Sequence, residues 1–258
     1  AKLDTKEVRA VVKVMNEYDP AMYMDIHVTD GADYQYDITF GGFGIQGNSP
    51  GIAGWLETVY KTTADKDLTA NGHIPGQLLF ALNGSDFTQG NILTAGGPRF
   101  SDSYGNMRHM ASVLVENHSL KPFKQRVLGT YVLLESTLKI LAKEGGSLKA
   151  ITQKDRAIRA AKVPMDWKVP QMNKAINFEN SAELQKSATT VKAADSLLFA
   201  GIASSIKKSS VTNADYIEWL GKPITQSIVN YKGTEPIDFI VRPKGYWIPA
   251  FCDEVISR

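Results

Sequence analysis

The sequence has few of the residues that several classes of functional site require. It contains one cysteine, Cys252, among 258 residues, which excludes an internal disulfide and a cysteine-rich metal cluster. No stretch approaches the roughly 18 consecutive apolar residues of a transmembrane helix, so we expect no membrane span. The formal net charge of +2 gives no electrostatic reason to expect nucleic acid as a partner.

What the sequence does contain is typical of a globular α/β protein, with 43% hydrophobic and 22% charged residues. Residues 4–17 have helical periodicity, and residues 22–27 form a short, mostly apolar run that predicts a buried strand. A second apolar run at 112–116 is followed by an amphipathic stretch at 123–142, which predicts a long helix. We therefore expect an α/β fold in which helices flank a mixed sheet.

The segments between these elements predict loops and a helix boundary. Residues 41–54 and 88–105 are rich in glycine and polar residues, so we expect two long loops there. The pair at 145–146, Gly-Gly, is expected to end the long helix. Residues 147–161 then predict a separate helix.

The composition changes after Val163, where prolines and short β-like runs become frequent. We therefore expect two domains, residues 1–162 with the mixed sheet and residues 163–258 as a smaller β-rich domain. The aromatic and proline-containing stretch at 239–249 suits either a binding surface or a packed strand, and we expect packing.

His27 lies where the first predicted strand meets a polar turn. Sites in open α/β sheets lie at the carboxyl ends of strands. A neutral imidazole there can bind zinc, and a carboxylate such as Asp25 or Asp30 can orient it. The alternative is a hydrogen-bonded histidine that caps the strand end, and the spacing leaves both interpretations open.

Glu116 ends the second predicted strand, after three apolar residues. Partial burial there would raise the pKa of its carboxyl group toward the range of a general base. The alternative is an acid at a sheet edge that pairs with Lys121 or Arg126.

Together, the two segments resemble the carboxypeptidase A-like zinc metallopeptidases, in particular a bacterial branch of that family. Residues 25–31 (DIHVTDG) resemble the strand that carries the family's third, isolated zinc-binding histidine. Residues 114–122 (LVENHSLKP) resemble the segment with the catalytic glutamate. The order also agrees, since a long variable region separates the two strands and a long helix follows. The resemblance is strongest over residues 1–145.

The resemblance implies roles for three residues. His27 would be the third zinc ligand, and Glu116 would activate a zinc-bound water and pass its proton to the leaving amine. The family also uses a mobile-loop tyrosine near the substrate, for which Tyr104 is the candidate. Arg99, Asp102 and Arg108 flank it and are candidate substrate contacts, with solvated loop charges as the alternative.

The other histidines have several interpretations. His118, with Lys121, would either line the same pocket or cap the turn that follows the strand. His73 and His109 are expected to be ordinary surface or turn histidines.

The chain also departs from the family pattern. The first two zinc ligands of the family form a His-x-x-Glu motif well before the third histidine, but the 26 residues before His27 contain no histidine. Catalytic zinc needs about three protein ligands. We therefore expect a fragment whose sheet is incomplete at its N-terminus, with Zn²⁺ in the intact protein but absent or weakly bound in this chain, which alone would be inactive.

The resemblance further implies a peptide substrate and a secreted or periplasmic location. An incomplete sheet would leave an open edge, so self-association through that edge is expected. The alternative function is a non-catalytic peptide- or cell-wall-binding module that uses the loops at 41–54 and 88–105.

Overall fold

The computed structural model describes residues 5–42, 49–83, 86–94, 97–169 and 195–256. Its helical elements are α1 (Lys6–Tyr18), α2 (Pro50–Trp55), a π-helix (Leu56–Lys61), α3 (Thr62–Ala70), α4 (Ser101–Met107), α5 (Phe123–Ala157) and α6 (Asp253–Ile256). Its strands are β1 (Met22–Val28), β2 (Ile38–Gly41), β3 (Pro75–Gly76), β4 (Ala81–Asn83), β5 (Asp86–Thr94), β6 (Ala111–Asn117), β7 (Lys162–Lys168), β8 (Ser196–Lys208), β9 (Asp215–Gly233) and β10 (Glu235–Val241).

The protein is therefore a mixed α/β protein, as the sequence predicts. Its strands form sheets that combine parallel and antiparallel pairs. Among the described residues, none of the helices combines the length and apolar character needed to cross a membrane.

The first sheet has the strand order β1-β6-β2-β3, with β1 parallel to β6 and β2 antiparallel to it. Because side chains alternate along a strand, one face of this sheet is apolar. That face carries Phe40, Val113 and Val115, which pack with Leu133 and Leu148 of α5 in the main hydrophobic core. The opposite face of β1 and β6 is left for the polar side chains of both strands.

The second sheet has the order β4-β5-β9-β8, and β7 pairs separately with β10. Strand β5 runs parallel to β9, with Asn91 opposite Asn230, so one sheet joins strands from both sides of the expected boundary at 162/163. A core cluster also joins Tyr34 and Phe87 to Phe199. The division into two domains stays a prediction. The two expected domains share this sheet and this core cluster.

The expected loop at 88–105 is wrong, because this region contains most of β5 and most of α4. Strand β5 pairs with the nearby β4 and also with β9, and the side chains of Asn91 and Asn230 are bonded across 139 residues. A local pattern does not show the partner in β9. The expected loop at 41–54 is wrong from Pro50 onward, where α2 begins with proline in its first turn. Residues 43–48 lie outside the described residues.

The expected helix break at Gly145-Gly146 is also wrong, since α5 continues from Phe123 to Ala157. Glycine inside a helix costs about 1 kcal/mol relative to alanine. Burial of Leu148 and Asp155 on the far side of the pair offsets this cost, because both side chains pack against the rest of the fold.

The stretch at 239–249 is not packed as expected. Phe239 and Val241 are exposed, and the side chains of Tyr246 and Trp247 project into solvent. Among the described residues, β10 pairs only with the short strand β7, which leaves these side chains uncovered.

Candidate functional site

The carboxyl ends of β1 and β6 meet on the polar face of the first sheet. The parallel register places His27 directly opposite Glu116. Asp25 lies two residues before His27 and therefore on the same face. The first turn of α4 crosses this face, because the hydroxyl of Ser101 donates a hydrogen bond to Asp25 Oδ2. We call Asp25, His27, Ser101, Asp102 and Glu116 the strand-end cluster.

Asp25 orients the imidazole of His27. Its Oδ2 lies 2.9 Å from Nε2 of His27, whose side chain is 50% exposed. Burial lowers the pKa of His27, but the hydrogen bond to Asp25 and the nearby negative charges outweigh it, so the pKa is raised. Because Nε2 faces Asp25, Nδ1 is the nitrogen left for another partner.

The carboxyl group of Glu116 is partly buried. Burial raises its pKa to about 7, with the charges of Asp30 and Asp25 adding to the effect and that of His27 opposing it. Its Oε2 atom is buried and has no hydrogen-bond partner in the part of the chain that the structure describes. A carboxylate in this state can exchange a proton near neutral pH.

The alternative pairing of Glu116 at a sheet edge does not match this geometry. Glu116 lies on β6, which has β1 on one side and β2 on the other. Lys121 is directed to the backbone oxygen of Tyr34, and Arg126 lies over the ring of Phe123. Within the described ranges, neither cation forms an ion pair with Glu116.

Asp102 is the second carboxyl group of the cluster with a raised pKa. The residue is only 4% exposed, and burial raises its pKa to about 6, with the charge of Asp25 contributing. It borders a small cavity together with Leu56 and Asn106, and its Oδ2 has no hydrogen-bond partner among the described residues. Its carboxyl group therefore lies under α4 rather than on an open surface.

Tyr104 and Arg108 lie further along α4. The guanidinium of Arg108 is 3.4 Å from the hydroxyl of Tyr104, and its charge acts on Asp19, which precedes β1. In the described residues we find no contact of either side chain with Glu116. Arg99 precedes α4 and lies over the ring of Phe100. The structure thus brings together His27, Glu116 and Asp102 among the predicted site residues, but not Tyr104, Arg99 or Arg108.

His118 and Lys121 anchor the turn that follows β6. Nδ1 of His118 accepts the backbone N–H of Leu120 at 3.1 Å, and its Nε2 lies 3.1 Å from the carboxylate of Asp33. Lys121 donates to the backbone oxygen of Tyr34 at 2.8 Å. His118 is fully buried. The geometry matches the alternative of a turn cap for His118, whereas the side chain of Lys121 bonds to the segment at Tyr34.

His73 has a similar structural role before β3. Its Nδ1 lies 2.6 Å from Oδ2 of Asp37, whose other carboxylate oxygen accepts the N–H of Ile74 at 2.7 Å. The side chain of His73 is mostly buried, so it is a turn histidine and not a surface one.

Ser49 was missed by sequence reasoning, although the spacing Gly-x-Ser-x-Gly surrounds it. Its Oγ lies 2.6 Å from Nδ1 of His109, a pairing that can activate a serine nucleophile. Here, however, Ser49 is buried, and Asp155 accepts the N–H groups of Gly51 and Ile52. Pro50, the residue after Ser49, has no backbone N–H to donate to an oxyanion, and Asp155 already occupies the next two N–H groups of α2.

The described residues do not supply a complete metal site. No three His, Cys, Asp or Glu side chains in this part of the chain are arranged to hold a metal ion. Comparisons with protein-family models, curated proteins and solved structures gave no significant match. The geometry of the strand-end cluster and the two sequence segments that carry it are therefore the basis for a functional proposal.

Proposed function

We propose that this chain carries part of the active site of a zinc-dependent peptidase of the carboxypeptidase type. In this proposal His27 is a zinc ligand, Glu116 is the general base, and a peptide is the substrate. The observation that carries it is the direct pairing of His27 with Glu116 across two parallel strand ends. The family resemblance of the two segments supports the same roles.

The state of Glu116 suits a base that works near neutral pH. With a pKa of about 7, its carboxyl group is close to half ionised at that pH. An ionised Glu116 would take a proton from the attacking water and then deliver it to the leaving amine. Its unpartnered Oε2 is the atom free to accept that proton.

His27 fits the role of one metal ligand but not of a whole site. Asp25 occupies Nε2, as carboxylates do behind metal-binding histidines, and leaves Nδ1 for the metal. Catalytic zinc uses about three protein ligands, and the described residues supply one. We therefore propose that the other ligands lie outside the described residues and that this chain alone is inactive.

Several further assignments belong to this proposal. Tyr104 as a residue near the substrate and a secreted or periplasmic location follow from the resemblance, whereas substrate contacts by Arg99, Asp102 and Arg108 rest on their positions beside Tyr104. Asp102 would need α4 to move before a substrate could reach it, because the residue is buried.

The test is zinc content, measured on this chain and on a form extended upstream by a segment with His-x-x-Glu. We expect one zinc per molecule only in the extended form, and its loss in His27→Ala. The matched control is His109→Asn, because His109 has a φ of 54° that asparagine tolerates well and it lies outside the cluster.

Zinc binding that survives His27→Ala, or that disappears in His109→Asn as well, would remove His27 from the proposal. If neither form binds zinc, the proposal fails, and a non-catalytic peptide- or cell-wall-binding module takes its place.

A further inference from the structure

A groove lies along the hairpin of β8 and β9, and we call it the hairpin groove. Its volume is about 480 Å³, within the range of sites that hold small ligands or peptide side chains. Phe87 and Phe199 form its aromatic lining together with Trp219, and branched side chains such as Ile202 and Ile217 complete the walls. None of the residues of the strand-end cluster lines it.

An irregularity in the hairpin shapes this groove. Ile202 pairs with Pro223, but Ser204 pairs with Trp219, so β9 carries extra residues between these two positions. Gly221 lies in this bulge with a φ of 66°, a conformation that favours glycine. A bulge of this kind bends the bulged strand and increases its twist. The groove spans this bend, since Ile202 and Trp219 both line it.

The aromatic side chains of the groove are held in place by packing against the core cluster that contains Tyr34. The rings of Phe87 and Phe199 lie 4.8 Å apart, and both contact the buried ring of Tyr34. A side chain at position 201 would approach Phe199 to 2.5 Å, so the glycine there leaves room for that ring. The groove is therefore held in shape without a ligand, which reduces the entropic cost of binding.

The groove offers one carboxylate to a cation. Its ionisable lining residues among those described are Asp33 and Asp86, and no Lys or Arg lines it. Asp33 is already paired with Lys121 and also contacts His118, whereas Asp86 accepts hydrogen bonds through Oδ1 from the backbone and hydroxyl of Thr88. A cation in the groove would meet Asp86 next to apolar walls, where charge interactions are stronger than in water.

We infer that the hairpin groove binds an extended peptide segment in which an aromatic side chain is next to a lysine or arginine. The aromatic lining accounts for the apolar group, and the carboxylate of Asp86 accounts for the cation. The lining on β8 runs from Phe199 to Ile206, which at the rise of a strand is at most about 23 Å long. That length suits an extended segment better than a compact molecule. The inference is independent of the metallopeptidase proposal.

The experiment measures fluorescence anisotropy of a labelled heptapeptide with a central Lys-Trp pair flanked by glycine and serine. Matched peptides replace the pair with Glu-Trp or with Lys-Ala. We expect the Lys-Trp peptide to bind at least about tenfold more tightly than either, which corresponds to about 1.4 kcal/mol. Unlabelled tryptophanamide, added as a competitor, should displace it only weakly.

The variants are Trp219→Ala, which removes an aromatic wall, and Asp86→Asn, which removes a charge but keeps the acceptor for Thr88. Leu220→Ala is the matched control, because Leu220 is exposed on the same strand and does not line the groove. We expect Trp219→Ala to abolish binding, Asp86→Asn to weaken it about five- to tenfold, and Leu220→Ala to leave it unchanged. Circular dichroism checks that each variant is folded.

Equal binding of the Glu-Trp peptide, or unchanged binding in Asp86→Asn, would overturn the charge assignment and with it the inference. Tryptophanamide that competes as well as the peptide would show a small-molecule pocket instead. If Trp219→Ala does not fold, Asp86→Asn and the peptide series still decide the question.

Discussion

The strand-end cluster and the β8–β9 hairpin hold their charged residues in opposite environments. In the cluster, burial raises the pKa of Glu116 to about 7 and that of Asp102 to about 6. On the hairpin, Glu218 lies 2.7 Å from Lys207 in an exposed ion pair, and its hydrogen bond to Lys207 lowers the pKa of its carboxyl group.

This difference shows where ionised carboxyl groups lower the stability of the fold. Exposed ion pairs contribute little to stability and are screened by salt. Carboxyl groups that are buried without a partner destabilise the folded state when they ionise. Such groups are often found at sites where proton transfer is useful, so the strand ends fit our proposed site better than the hairpin does.

The largest expected effect comes from removing the buried ring beneath the hairpin groove. Tyr34 is 2% exposed, and its ring contacts both Phe87 and His118. We expect Tyr34→Ala to lower the free energy of unfolding by about 3–5 kcal/mol, because it opens a cavity in the core cluster that it shares with Phe87 and Phe199. Urea denaturation measures this loss.

The matched control is Tyr216→Ala on the exposed part of the hairpin, with an expected change within about 0.5 kcal/mol. Similar losses in both variants would mean that the buried ring of Tyr34 does not stabilise the fold more than an exposed one.

The second effect concerns Asp102. Its pKa is raised from 3.8 to about 6, so its stabilising protonated state is complete below pH 3.8 and is lost as the pH rises through 6. We expect Asp102→Asn to stabilise the fold at pH 8 by up to about 3 kcal/mol, the equivalent of a shift of two pKa units. Urea denaturation at pH 4.5 should show a smaller gain, and an equal gain at both pH values would argue against burial of the charge.

A third, smaller effect is on the melting temperature, and it has opposite signs for substitutions of Glu116 and Glu218. Glu116→Gln should raise the melting temperature at pH 8 more than at pH 5, because stability is lost as Glu116 ionises between pH 4.5 and about 7. Glu218 has a lowered pKa, so its contribution is present above pH 4.5 and is lost as the pH falls. Glu218→Gln should therefore lower the melting temperature slightly at pH 8. Calorimetry at both pH values measures the two changes, and equal signs would contradict the comparison.

The smallest effect on stability concerns the sheet edges. There we expect a measurable effect on self-association. Gln35 covers β8 through bonds to the backbone oxygens of Ala200 and Gly201, while β1 has no partner beyond β6 among the described residues. We propose self-association through β1, and we expect Ile26→Lys to weaken it because an edge lysine disfavours strand pairing. Sedimentation at high concentration measures this, and a wild-type chain that is strictly monomeric would refute it.

Parts of the fold that depend on local patterns could be predicted from the sequence. The apolar runs of β1 and β6 identified both strands, and the resemblance of the two segments brought His27 and Glu116 into one hypothesis. The pairing of Glu116 with His27 agrees with that hypothesis, but zinc binding and peptidase activity stay predictions.

Features that depend on distant partners could not be predicted. Ser101 bonds to Asp25 across 76 residues, and nothing in its own neighbourhood indicates that contact. The aromatic lining of the groove unites Phe87 with Phe199 in the same way. The motif around Ser49 shows the converse, since its spacing fits a nucleophile while Pro50, the next residue, has no backbone N–H for an oxyanion.

The parallel pairing of β1 with β6 also has a consequence for how the protein folds. The side chain of Asn117 bonds to the backbone of His27 across 90 residues, so the chain must close a large loop before these strands meet. Such non-local pairings form slowly compared with helices such as α5. The carboxyl group of Glu116 would therefore acquire its raised pKa only once this pairing has formed, and its titration can serve as a probe of that step.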